Sequence, residues 1–220
     1  MINITIDGPS GAGKSTVAQD VAKRLGIIYL DTGAIYRAFA YAALKSNVNI
    51  DDVKQVAAFL DSADIDVRYD GCVQKVYMDG EDVTMYIRAH NISKAASDIS
   101  KHIPVRIKLS KIQRKIAAAN DVVLDGRDSG TYVLPNANFK FFLTADVEER
   151  ASRRFLELKE RGAEVEYSRV LEDIKSRDFN DSNRDFAPLL RAADAELIDS
   201  TRLKADEVAD IIINAVRKKR

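Results

Sequence analysis

The stretch ITIDGPSGAGKST, residues 4–16, sets apolar residues in front of a glycine-rich turn that ends in Gly13-Lys14-Ser15-Thr16. Gly8-Pro9-Ser10-Gly11-Ala12-Gly13-Lys14-Ser15 matches G-x-x-x-x-G-K-[ST] at every position, and it has a strand-like segment before it and a helical pattern after it. Glycines let backbone N–H groups converge on an anion with no Cβ in the way. The helix that follows adds its positive end. Lys14 brings a point charge to the outer phosphates, and the Ser15 hydroxyl is of the type that ligates Mg²⁺. The segment Gly8 to Thr16 is therefore the expected cradle for a nucleoside triphosphate.

Working outward, short apolar runs read as buried strands at residues 2–7, 27–30, 121–125, 139–144 and 196–199. Helical patterns lie between them: Lys14 to Leu25, IYRAFAYAALK after Gly33, a helix after Pro104, Asp146 to Lys159, and Ala205 to Lys218. Continuous apolar strands alternating with helices predict an α/β fold, a five-stranded parallel sheet covered on both faces. Residues 64–84 break the rhythm. Ile65, Val67 and Tyr69, then Val76 and Met78, alternate with period two, and Asp-Gly pairs fall at 70–71 and 79–80. This reads as a small antiparallel hairpin or three-stranded sheet inserted in the core. Lys159 to Glu166, with Gly162, reads as an irregular, lid-like break between two charged helices, and FNDSN at 179–183 as a loop.

Composition narrows the function. The 220 residues suit one domain with a small insert, and 34 Lys+Arg balance 34 Asp+Glu, so no global basic field exists to hold nucleic acid or an anionic membrane. Cys72 is the only cysteine, which excludes a disulfide framework and a thiolate metal site. There is no long apolar run or secretory pattern, so a cytoplasmic protein is the expectation. A monomer is the default, since no stretch reads as an oligomer interface.

A phosphate-binding loop serves GTPase switches, ATP-driven motors and small-molecule kinases. A guanine reader of the N/T-K-x-D type and a D-x-x-G switch are both missing, and 220 near-neutral residues fit a motor poorly. A kinase with a phosphorylated acceptor has a charge problem: each close like-charge pair costs about 4 kcal/mol at an effective dielectric of about 20. Several converging arginines are then required. The candidates are Arg37 beside Tyr36, Arg106 after Pro104, Arg127 directly after strand 121–125, Arg150 and Arg154 on one helix face, and Arg177 and Arg184 flanking FNDSN.

DTGAIYR (31–37), DGRDSGT (125–131), EERASRR (148–154) and RDFNDSNR (177–184) resemble the bacterial cytidylate kinases, members of the nucleoside monophosphate kinases, and the resemblance covers nearly the whole chain. It implies a P-loop kinase that moves the γ-phosphoryl group of ATP to CMP or dCMP, with Mg²⁺, in pyrimidine metabolism. It implies a CORE of about 1–62, 100–158 and 180–220, a nucleotide-monophosphate-binding insert of about 63–99 and a lid of about 159–179. Carried over by position, Thr32, Arg106 and Asp128 would read cytosine, with Tyr36 beside them. An ionised Asp only accepts and suits the N4 amino group, while Arg106 can donate to N3 or O2. Ser97, Arg177 and Asp181 would face the pentose, and Arg37 and Arg127 would hold the acceptor phosphate. Arg184 with Arg154 would bridge the phosphates being joined, Arg150 would stack on adenine, and Asp125 would order Mg²⁺ together with Ser15. Lys14, Arg127, Arg154 and Arg184 are thus the expected catalytic set. No base is needed, because a phosphate oxygen is already nucleophilic. Ser129 departs from the pattern, which carries a larger apolar residue there.

Other signals read as structural: His90 and His102, the acidic turn Asp79-Gly80-Glu81-Asp82, Cys72, and the basic terminus RKKR. Two alternatives stay open. One is a kinase for another small acceptor, such as a different nucleotide, shikimate or dephospho-coenzyme A. The other is an ATP-dependent interaction protein that uses residues 64–84 as its surface.

Overall fold

The computed structural model describes residues 1–218, and of His90 only the backbone. The expectation for the His90 side chain and the last two residues of the RKKR terminus lie outside the described residues. In chain order the elements are β1 (Asn3–Asp7), α1 (Lys14–Leu25), β2 (Ile28–Asp31), α2 (Thr32–Lys45), α3 (Val53–Ser62), β3 (Ile65–Asp70), β4 (Val73–Met78), β5 (Glu81–Asp82), α4 (His90–Ile99), α5 (Ile103–Ala119), β6 (Val122–Gly126), β7 (Phe139–Thr144), α6 (Val147–Glu160), α7 (Tyr167–Asn183), β8 (Glu196–Asp199) and α8 (Ala205–Lys218). The principal sheet has five strands in the order β2-β6-β1-β7-β8, the parallel α/β arrangement expected.

The chain forms two compact units. One comprises Ile2–Ile27 and the chain from Asp121 onward. There β1 lies between β6 and β7, both parallel to it, with Ile4 opposite Val123 and Phe139, and β8 extends β7. Ile4, Ile6, Val122, Val123 and Leu124 are fully buried, as a parallel sheet covered by helices requires. Val17, Ala18 and Val21 of α1 and Val208, Ile212 and Ile213 of α8 recur at helical spacing and close this core. A separate apolar cluster of Ala151, Leu158, Val170 and Ile174 packs α6 against α7.

The other unit comprises Met1 and Ile28–Asn120. Its core is Ala38 and Phe39 of α2 against Ile92, Ala95 and Ile99 of α4, with Val76 and Ile87. The expected insert is a three-stranded antiparallel sheet, β3-β4-β5. The turn from β4 to β5 is Asp79-Gly80, with φ of 50° and 82°, the paired positive values of a tight hairpin. The acidic turn is structural: Asp79 accepts from the Asp64 amide at 2.8 Å, Glu81 pairs with Lys45 at 2.9 Å, and Asp82 accepts from Thr84. His102 Nε2 lies 2.7 Å from the Ile50 carbonyl, also a structural tie.

Some expectations need correction. Residues 179–183 are not a loop; FNDSN is the last stretch of α7. Asn and Asp disfavour helix interiors by bonding nearby backbone, yet Asp178 and Asp181 spend their carboxylates on distant groups instead. Helix α2 starts at Thr32 rather than after Gly33, because Asp31 caps it by accepting from the Ala34 amide at 2.8 Å. Helices α3 and α4 answer to no expectation. Asp52 caps α3 by accepting from the Lys54 and Gln55 amides.

Candidate active site

The phosphate loop joins β1 to α1. Gly8, at φ 150°, passes so close to β7 that a Cβ would stand 1.9 Å from the Leu143 carbonyl oxygen, so no larger residue fits. Gly13 is the N-cap of α1 and no side chain caps the first amides, which leaves them for an anion. Ser15 and Thr16 are exposed in the first turn. The Ser15 hydroxyl donates to Asp125 Oδ2 at 2.7 Å, bringing together the two oxygen groups expected at Mg²⁺.

Lys14 is not solvated, as a lysine reaching for phosphate suggests, but 5% exposed. Its Nζ donates to the Pro9 carbonyl at 2.6 Å, across its own loop. Burial and then the charge of Arg127 pull its ammonium down to about 7, against the pull of Asp125, Asp7 and Asp181. A negative ligand here would reverse that penalty.

The expected arginines of this unit fall into two kinds. Arg127 and Arg184 both meet Asp181, and Arg127 and Arg154 lie close enough to act on the charge of Arg177. Arg127 Nε donates to Asp181 Oδ2 at 2.8 Å, and Arg184 Nη1 lies 3.5 Å from Asp181 Oδ1. Arg184 Nη2 also donates to Asp128 Oδ1 at 3.4 Å. Burial, then the like charges of Arg154 and Arg127, push Arg177 below the ordinary guanidinium range. Burial works against the Arg127 charge too, but Asp181 holds it above its usual value. Arg154 itself donates to Glu157 at 2.7 Å. The four cations divide Asp181, Asp128 and Glu157 among them as carboxylate partners.

Arg150 is of the second kind. It is 7% exposed, and it donates to the Ala145 carbonyl at 2.9 Å, to the Ser10 carbonyl at 2.8 Å and to Asp178. Asp178 in turn accepts from the Ser10 amide at 2.9 Å. Both polar groups of the Ser10 peptide are thus held, which ties the phosphate loop to α6 and α7. A guanidinium enclosed this way offers little face for stacking on adenine, so we assign it this fastening role.

The remaining expected residues lie in the unit of 28–120. Thr32 is buried at the start of α2, and Arg37 Nη2 donates to Asp31 Oδ2 at 2.8 Å. Arg106 is 2% exposed, its guanidinium 5.7 Å from the Tyr36 ring centre and donating to the Ser100 carbonyl at 3.3 Å. Ser97 is half-buried on α4, and its carbonyl accepts from Ser100 Oγ at 2.8 Å. Within this unit the Tyr36 ring of α2 backs the buried Arg106 guanidinium of α5, while Arg37 turns to Asp31.

Two residues escaped the sequence reading. Asp178 carries no local mark that separates it from its acidic neighbours. Asp7 does carry one, an acid at the inner end of an apolar strand, and it is 4% exposed. Among the described residues no cluster of three or more His, Cys, Asp or Glu side chains could hold a metal ion, and no helix is long and apolar enough to cross a membrane.

Comparison with known proteins agrees with this geometry. Residues 4–218 match the family described as cytidylate kinase. A cytidylate kinase of Caldicellulosiruptor saccharolyticus is 52% identical, covering 99% of this chain and 96% of that protein, and one of Bacillus subtilis is 48% identical over 99% and 97%. Among solved structures, a shikimate kinase from Acinetobacter baumannii in complex with shikimate is similar in fold, with TM-score 0.50 at 17% identity over 100% of this chain and 95% of that one. A match that runs through the phosphate loop, the small antiparallel sheet and the arginine-bearing helices alike leaves one assignment, and the chain belongs to the cytidylate kinase family.

Proposed function

We propose that this protein transfers the γ-phosphoryl group of ATP to CMP or dCMP, giving ADP and CDP or dCDP. The observation that supports it most is the convergence of Arg127 and Arg184 on Asp181, with Arg177 under the like charges of Arg154 and Arg127, in the same unit as Lys14 and the phosphate loop. Like charges held this close oppose one another, and the repulsion is offset when a triphosphate and a phosphate acceptor meet there. The loop amides and the positive end of α1 receive the donor phosphates. Lys14 leaves the Pro9 carbonyl for the outer phosphate, and Arg127 with Arg184 holds the phosphates in line. Ser15 and Asp125 offer oxygen ligands only, the donor type Mg²⁺ takes, and would hold it; when bound it neutralises charge on the phosphates being separated. Asp128 accepts from the acceptor base. Thr32, Tyr36, Arg37, Arg106 and Ser97 keep, as proposals, the substrate roles the resemblance gives them. So do the CORE, insert and lid boundaries.

The test is a coupled ADP assay with ATP and a panel of acceptors: CMP, dCMP, UMP, shikimate and dephospho-coenzyme A. ADP production with the cytidine nucleotides is expected, at about 10- to 10³-fold higher kcat/KM than with UMP, because UMP presents an acceptor and a donor where cytosine presents the reverse. Asp128→Asn is expected to narrow that ratio with KM for ATP nearly constant. Turnover only with another acceptor, or ATP binding without turnover, rejects the proposal.

A further inference from the structure

Asp7 is given no contact with a substrate in the chemistry proposed above, although its charge acts on Lys14, and its surroundings are built around it. Its Oδ1 accepts from the Ser129 amide at 2.8 Å and its Oδ2 from the Gly130 amide at 2.7 Å. The Ser129 hydroxyl adds a further hydrogen bond. Ser129–Val133 is a π-helical turn, closed by the Tyr132 and Val133 amides donating to the Asp128 carbonyl at 2.9 and 3.0 Å and by the Leu134 amide donating to the Ser129 carbonyl at 2.7 Å. The amides of Ser129 and Gly130 are the opening donors that such a turn cannot satisfy internally. The residue just before a helix, when it is Asp, ordinarily caps those donors with its own side chain. Asp128 stands at that position and makes no capping bond. Asp7, from the end of β1, caps the turn in its place. The approach is close enough to need Gly130, where a Cβ would meet Thr5 Oγ1 at 2.8 Å and Asp7 Oδ2 at 3.4 Å.

We infer that Asp7 is a positioning residue of the acceptor site: by capping the 129–133 turn it keeps the Asp128 carboxylate from folding onto its own turn and so directs it at the acceptor base. The inference rests on the reading of Asp128 proposed above. Burial lifts the Asp7 carboxyl to about 6, against the lowering by the Gly130 and Ser129 amides, so a charged acid is kept where a neutral side chain would be easier to bury. The Ser129 hydroxyl supplies the extra donor that helps hold the charge.

Asp7→Asn keeps the shape but sets its amide nitrogen against a backbone N–H. It is expected to lower kcat/KM for CMP about 10- to 100-fold, with KM for ATP unchanged within about 2-fold. In the Asp128→Ala background the same substitution should cost less than about 3-fold, because the residue it acts through is already gone. Equal losses in the CMP and ATP parameters, or losses that multiply in the double variant, would overturn the inference. If Asp128→Ala alone leaves kcat/KM for CMP unchanged, it is the reading of Asp128 that fails. Should Asp7→Asn not fold, Ser129→Ala removes one donor and leaves the carboxylate. It is expected to show the same CMP-only loss at about 2- to 5-fold and the same non-additivity, and no such split overturns the inference.

Discussion

The acid–base pairs of the small antiparallel sheet and those around Asp181 use the same residue types at similar distances. Arg68–Asp66 at 2.8 Å and Lys45–Glu81 at 2.9 Å have side chains 49% to 60% exposed. Arg184–Asp128 at 3.4 Å and Arg184–Asp181 at 3.5 Å are longer, with side chains 8% to 14% exposed. Arg127–Asp181, at 2.8 Å, is as short as the sheet's pairs, so distance alone does not separate the two groups. Solvent separates them, since water and salt screen the exposed pairs while charges out of water must find partners. The sheet's pairs are surface chemistry. Those around Asp181 hold cations largely out of water.

Lys14→Ala tests the tight region hardest. It is expected to cut kcat by at least about 10²-fold, as the loss of a preorganised charge should, while the fold survives, because a buried ammonium weakened by its surroundings contributes little to stability. Steady-state rates and a melting curve on one preparation check both. A variant within a few-fold of the parent would remove Lys14 from the mechanism. Asp181→Ala comes next. It leaves Arg127 and Arg184 without their shared carboxylate, and chemical denaturation should read a loss of about 2 kcal/mol, recovered in part by a saturating nucleotide triphosphate.

A smaller effect concerns pH. Asp7 is raised from 3.8 to about 6 in the folded protein, so the native state binds more protons than the unfolded one between those values. Stability contributed by this group therefore falls as pH rises through that window. The whole effect is about 3 kcal/mol, of which about 1 kcal/mol lies between pH 5 and pH 7. Asp128 and Lys14 also act on this carboxyl, so the quantity to measure is the parent-minus-Asp7→Asn difference in denaturation free energy at pH 5 and pH 7. It should shift in the parent's favour at pH 5; no shift would mean Asp7 titrates normally. At the bottom of the scale, Glu81→Gln and Asp66→Asn are expected to leave the melting midpoint where it is, at low and at high salt. A clear destabilisation by either would erase the contrast between the two regions.

The strands, the phosphate loop and the helices Lys14–Leu25 and Ala205–Lys218 were legible because each is written locally: glycine spacing, apolar period and turn chemistry lie within a few residues of one another. Arg127 and Arg184, two of the seven arginines the sequence singles out, meet at Asp181. The end of α7 was misread as a loop because Asn and Asp propensities speak only for the isolated chain. Whether Arg150 stacks or fastens, whether Lys14 is wet or buried, and why Asp128 does not cap its own turn were decided by partners far away in sequence: Ser10 with Asp178, Pro9 with Arg127, and Asp7. Sequence by itself determined the phosphate-loop motif and where the cationic residues stand along the chain. Tertiary structure decided which of them are spent on holding the others in place, because a hydrogen bond across the fold competes with every local one and wins where water is excluded.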